Sequence, residues 1–108
     1  MKYLIDHQQL EDLLGRSEAS TGVDYGFSII YFTAGWCGAC RNLNLSKLEH
    51  ETSAVNWLKC DIDQNDHSAG FCGVRSIPSF IAIKDKKVVG SLQSNDTDAV
   101  VKWANNFV

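Results

Sequence analysis

Apolar positions along the 108-residue chain fall into two periodicities, and their order predicts an α/β architecture. Leu10, Leu13 and Leu14 share one helical face behind Asp6 and Gln9, a pair that can cap a helix start reciprocally. Ser28 to Thr33 is a short, nearly continuous apolar run, the pattern of a strand covered on both faces. A helix-like stretch follows from Arg41 to Glu49. Val55 to Ile62, rich in aromatic and β-branched residues, predicts a second strand. Asp66 to Phe71 predicts a short helix stopped near Gly70 or Gly73. Ser79 to Ile83 and Lys87 to Ser91 predict strands joined across Lys84-Asp85-Lys86 as a hairpin. Val100, Trp103, Ala104 and Phe107 form a last helical face, with Asn95 to Asp98 as its capping region. Between Ser17 and Gly26 small and polar residues mix, and only the first part reads as an extension of the first helix. From Ser28 onward the order is βαβαββα, which predicts a central mixed sheet with helices on both faces.

Length places residues 1–108 in a single domain. With 44% hydrophobic and 21% charged residues, a core forms without disulfide staples, so the four cysteines need not be a structural framework. A net charge of −3 argues against nucleic acid or an anionic membrane surface as partner. No run approaches the ~20 apolar residues of a membrane span. Met1 to His7 turns polar too early for a signal peptide. The expectation is a cytoplasmic monomer in a reducing compartment, where cysteines are more often catalytic than structural.

Within that frame, Trp36-Cys37-Gly38-Ala39-Cys40 carries the most chemistry. A Cys-x-x-Cys between a strand and a helix puts its first sulfur near the helix N-terminus, where unpaired N–H groups and the positive dipole end stabilise a thiolate. Cys40, one turn inside that helix, is then placed to resolve a mixed disulfide. A structural bridge or half a zinc site are the alternatives, but Cys60 and Cys72 do not form the second close pair that four-cysteine zinc sites need. Cys60, in a strand, reads as a small core hydrophobe. Cys72 lies beside Gly73 in the loop leading to Pro78 and reads first as an unremarkable thiol, with an exposed thiol in a regulatory or dimer-forming role as the alternative.

His7, His50 and His67 share no spacing with one another or with the cysteines and read as surface residues. Trp57 and Trp103 read as packing residues, whereas Trp36 belongs at the surface beside the sulfur. Asp61, Asp63 and Asp66 lack the glycine and terminal glutamate of a calcium loop and read as solvated. The sole proline follows Ile77 just before a strand, where its missing N–H does no harm. X–Pro bonds are the usual home of cis peptides. A cis Ile77–Pro78 bond facing Cys37 would leave the Ile77 backbone free to pair with a substrate peptide.

Trp-Cys-Gly-x-Cys followed by Ile-Pro ahead of a strand resembles the thioredoxin family, over nearly the whole chain. Lys59-Cys60-Asp61-Ile62-Asp63-Gln64-Asn65 is similar to the family's second-strand ending, and Gly73-Val74-Arg75-Ser76-Ile77-Pro78-Ser79 to its cis-proline loop. The resemblance implies a thioredoxin-like three-layer sandwich and a protein-disulfide reductase that needs no cofactor and no metal. Cys37 is then the nucleophile, Cys40 the resolving thiol, and the pair the redox-active disulfide. Trp36, Gly38 and Ala39 would surround the exposed sulfur, and Ile77 and Pro78 would shape the peptide groove. Lys59 would favour the Cys40 thiolate if its ammonium points inward. Thioredoxin reductase or a small dithiol would supply electrons, and protein disulfides would receive them.

Four departures from the family pattern stand out. Ala39 replaces the usual proline between glycine and the second cysteine, which predicts a less reducing couple. Tyr31 stands where a buried aspartate commonly relays the resolving thiol's proton, and a phenol of pKa about 10 is a poor base at neutral pH. Leu45 replaces a helix-kinking proline, and Ser94 a groove glycine, which narrows access for a peptide. Tyr31 and Ser94 motivate a second reading, a peptide-binding module with little redox turnover. A third is an iron–sulfur cluster held between the Cys-x-x-Cys pairs of two chains, a coloured species.

Overall fold

The computed structural model describes residues 1–15, 26–52 and 54–107, and the expected extension of the first helix beyond Ser17 lies outside them. Five strands form one mixed sheet: β1 (Lys2–Tyr3), β2 (Phe27–Thr33), β3 (Asn56–Asp61), β4 (Ser79–Lys84) and β5 (Lys87–Gln93). Their spatial order is β1-β3-β2-β4-β5. β2 lies at the centre, parallel to β3 and antiparallel to β4, and all seven of its residues are buried. Burial on both faces is the physical reason for its continuous apolar run. Short β1 adds a parallel edge beside β3. Its two residues, both with outward side chains, carry no periodicity and so leave no strand signal in the sequence.

Helices α1 (His7–Leu13), α2 (Leu45–His50), α3 (Asp66–Phe71) and α4 (Thr97–Asn105) cover the sheet. One core gathers Ile29, Tyr31, Trp57, Phe80 and both motif cysteines under Leu48 of α2 and Val100 and Ala104 of α4. On the opposite face Ile30, Phe32, Leu58 and Ile81 meet Leu10 of α1 and Ala69 of α3. Alternate residues of each central strand therefore feed different cores, and the fold is the expected three-layer sandwich.

Local chemistry sets the element ends. Asp6 and Gln9 form the reciprocal capping box of α1. α3 runs through Gly70 and stops at Gly73, whose φ of 71° supports a Schellman closure: Gly73 N–H donates to Gly70 and Val74 N–H to Ala69. Asp85 and Lys86, both with positive φ, make the two-residue hairpin turn between β4 and β5. Asp96 caps α4 within the segment expected to do so.

The stretch after the motif departs from expectation. It is not one helix from Arg41 to Glu49 but a 3-10 turn (Ala39–Asn42), an extended Leu43 and then α2. Asn44 causes the break, since its side chain accepts the Lys47 N–H and so starts a new helix, while its own N–H donates to Thr97 Oγ1. The chain bends here with Leu45, not proline, as the first residue of α2.

Candidate active site

Parallel strands end on the same side of a sheet, and Thr33 at the end of β2 lies opposite Asp61 at the end of β3. The loops leaving both strands therefore emerge side by side. From β2 the chain turns at Ala34, whose carbonyl accepts the Cys37 N–H at 3.1 Å. Cys37 and Cys40 are joined as a disulfide with Cα atoms 5.4 Å apart. Cys40 thus sits in the 3-10 turn, not one turn inside an α-helix. Its N–H donates to Cys37 Sγ at 3.1 Å, and that donor stabilises negative charge on the same sulfur.

Cys37 is only 6% exposed, so the sulfur expected to stand out is sunk into the turn. Trp36 is the exposed member of the motif, at 66%, and Gly38 and Ala39 flank it at the surface. The indole N–H of Trp36 donates to Asp63 Oδ2 at 3.0 Å, and Asp63 N–H donates in turn to Asp61 Oδ1. Asp63 is the exposed loop residue that the sequence predicts, and it carries this contact in addition. Its role follows from strand adjacency, a signal in the parallel pairing of β2 and β3 and not in the local sequence.

The Ile77–Pro78 bond is cis. Pro78 is buried just ahead of β4, and Ile77, half-buried, packs against both cores. Ser94 is half-buried, and its Oγ accepts the Asp96 N–H at the start of α4. Lys59 also departs from the inward position considered for it. Its ammonium lies 5.7 Å from the centre of the Tyr3 ring on the edge strand. There it shares a groove of about 720 Å³ with Tyr3, Thr33, Asp61 and Gln64.

Tyr31 is buried, stacks on Phe80 at 5.2 Å and donates its hydroxyl hydrogen to Thr33 Oγ1 at 3.1 Å. Burial pushes its phenol above the ordinary value, and the bond to Thr33 acts weakly in the opposite sense. Burial also pushes the Cys60 thiol up to about 12, with Cys72 and Asp61 adding to the rise, and the Cys72 thiol up to about 11. Cys72 is thus half-buried and poorly nucleophilic, which corrects the exposed-thiol reading.

The thioredoxin family profile matches residues 21–106. The chain belongs to the thioredoxin family. It is 36% identical over 93 residues to the thioredoxin of Chlamydia muridarum, an alignment that covers 83% of this chain and 91% of that protein. Against the TPR repeat-containing thioredoxin TDX of Arabidopsis thaliana it is 40% identical over 70 residues, 63% of this chain but 18% of that longer protein. The solved structure of Fasciola hepatica thioredoxin superposes with a TM-score of 0.82 at 28% identity, covering 98% of both chains. The thioredoxin-family cysteine pair, closed as a disulfide over a turn, supports dithiol–disulfide exchange and makes the protein a thiol–disulfide oxidoreductase.

Proposed function

We propose that this protein works as a protein-disulfide reductase. The observation that carries the reading is the Cys37–Cys40 disulfide at the end of the buried central strand, with the Cys40 N–H on Cys37 Sγ. In the dithiol form Cys37 attacks a substrate disulfide, its sulfur bonds to one substrate sulfur, and the other leaves as thiolate. Cys40 then attacks Cys37 Sγ, which releases the second substrate thiolate and leaves the protein oxidised. Two electrons pass to the substrate, and a thioredoxin reductase or a small dithiol returns them.

In this reading Trp36, Gly38 and Ala39 form the surface met by the substrate chain, and Ile77 and Pro78 the wall beside it. Lys59 contributes a positive charge to the neighbouring groove, not a contact to Cys40. The protein acts as a monomer in the cytoplasm, where Cys60 and Cys72 remain thiols. Insulin-disulfide reduction tests the proposal. Cys37→Ser abolishes turnover, and Cys40→Ser accumulates a mixed disulfide on Cys37. Undiminished turnover by Cys37→Ser would overturn the proposal, whereas a Cys37 that is unreactive in a thiol titration at neutral pH would favour a peptide-binding module.

A further inference from the structure

The open groove of about 720 Å³ crosses the ends of three neighbouring strands. Its inner end is Ala34 and Gly35, which lead from β2 into Trp36; its middle is Lys59 and Asp61 of β3; its outer end is Tyr3 and Ile5 at the β1 edge. Tyr3 and Ile5 are 53% and 62% exposed, and with Trp36 they are three of the six large apolar side chains left exposed among the described residues. Apolar side chains gathered in this way mark a contact surface. Lys59 is half-buried, yet it makes no ion pair among the described residues, and its ammonium rests on the Tyr3 ring alone. A partly desolvated ammonium in that position favours a carboxylate brought by a partner. Asp61 competes little for it, because its Oδ1 already accepts the Asp63 N–H. Addition of a further strand is blocked at the β1 edge, where Gln9 Nε2 donates to the Tyr3 carbonyl and Gln9 Oε1 accepts the Ile5 N–H. Whatever occupies the groove is therefore held by its side chains.

We propose that this groove docks an extended segment of the polypeptide whose disulfide is reduced, with an acidic side chain on Lys59 and an apolar one against Tyr3 and Ile5. The inference rests on the disulfide-exchange reading above. Neighbouring strands lie about 4.8 Å apart, so the groove spans about 10 Å from β2 to β1, the reach of about three extended residues. Such a segment leaves the motif past Trp36, whose indole Asp63 holds at the groove's inner end. The acidic residue then falls a few residues from the partner's cysteine, and the apolar residue just beyond it. Asp61 pairs in register with Thr33 and so stands nearer the motif, where it disfavours an acidic residue close to that cysteine. Docking takes no part in the bond exchange. It raises the local concentration of the partner's disulfide at Cys37 and so selects among protein substrates.

Synthetic peptides whose single cysteine is disulfide-linked to thionitrobenzoate test this, since their reduction releases a coloured thiolate. The probe carries Glu about four residues from the cysteine with Leu next beyond it, placed on either side to cover both chain directions. Control peptides replace Glu by Gln, or Leu by Ser. The rate ratio of the Glu to the Gln peptide, taken within each variant, cancels changes in folding or thiol reactivity. In the unsubstituted protein it is expected to reach about two- to fivefold in one chain direction, the range of a partly exposed ion pair. It is expected to fall to about one in Lys59→Gln and below one in Lys59→Glu. Lys87→Gln removes the same charge from β5 at the far edge of the sheet and is expected to keep the preference. Ile5→Ser is expected to weaken the preference for Leu over Ser. A ratio near one in the unsubstituted protein, an undiminished ratio in Lys59→Gln, an equal loss in Lys87→Gln or an unaltered Leu preference in Ile5→Ser would overturn the docking groove. Failure of the unsubstituted protein to reduce the peptides, insulin and hydroxyethyl disulfide alike would overturn the disulfide-exchange reading itself.

Discussion

Ala39 leaves a backbone N–H and an unlocked φ between Gly38 and Cys40, where a proline would remove the donor and fix the turn. Stabilising the dithiol's thiolate at Cys37 favours the reduced form and makes the couple more oxidising. Ala39→Pro is therefore expected to lower the reduction potential by roughly 30 mV, a tenfold change in the equilibrium constant for two electrons. Equilibration with glutathione reads the shift, and a potential that rises on substitution contradicts the argument. Cys60 and Cys72 offer a second residue-scale test. Their thiols are raised to about 12 and about 11, mainly by burial. Unfolded thiols ionise near about 8.5, so above that pH the native state holds protons that the unfolded chain has released. Stability from this source is complete below about pH 8.5 and falls as pH rises through the native values. Urea denaturation from pH 8 to 10.5 is expected to show that decline, and Cys60→Ala with Cys72→Ala to flatten it after allowance for the lost packing.

At the scale of elements, the bend between the 3-10 turn and α2 rests on Asn44, whose side chain accepts the Lys47 N–H. Asn44→Ala is expected to destabilise the fold by about 1 kcal/mol, the usual value of a lost N-cap. Thermal denaturation checks this, and Asn44→Asp retains the cap. Gly90 sets a packing limit on β5: a Cβ there would lie 2.7 Å from the Phe107 ring. Gly90→Ala is expected to cost about 1–3 kcal/mol as the ring is displaced. The strongly patterned elements were legible in sequence because their signal is local. The buried run of β2, the Asp6–Gln9 box and the Asp85–Lys86 turn each state their own conformation. The break at Leu43 was not, since it depends on Asn44 capping forward and on Thr97, distant in sequence, receiving its N–H. For the same reason Cys37 and Cys40 were legible as a pair, while Asp63 became visible only when β3 brought it beside Trp36.

The whole molecule explains why the sulfurs sit where they do. A central strand buried along its length puts Tyr31 in the same core as Cys37 and Cys40, and α2 and α4 close that core from above. The neighbouring parallel strand brings the loop of Asp61 and Asp63 to the same rim. Among the described residues, Cys60 and Cys72 are the free cysteines, set in the opposite core and held as protonated thiols. The architecture therefore assigns redox chemistry to one pair and withholds it from the other. Redox titration of the full chain in glutathione buffers, with acid trapping, alkylation and mass mapping of each cysteine, tests this most directly. The account predicts a single two-electron transition confined to Cys37 and Cys40, with Cys60 and Cys72 alkylated as thiols after denaturation at every potential. A Cys37–Cys40 pair that fails to equilibrate with glutathione, or a transition that consumes Cys60 or Cys72 instead, would contradict it.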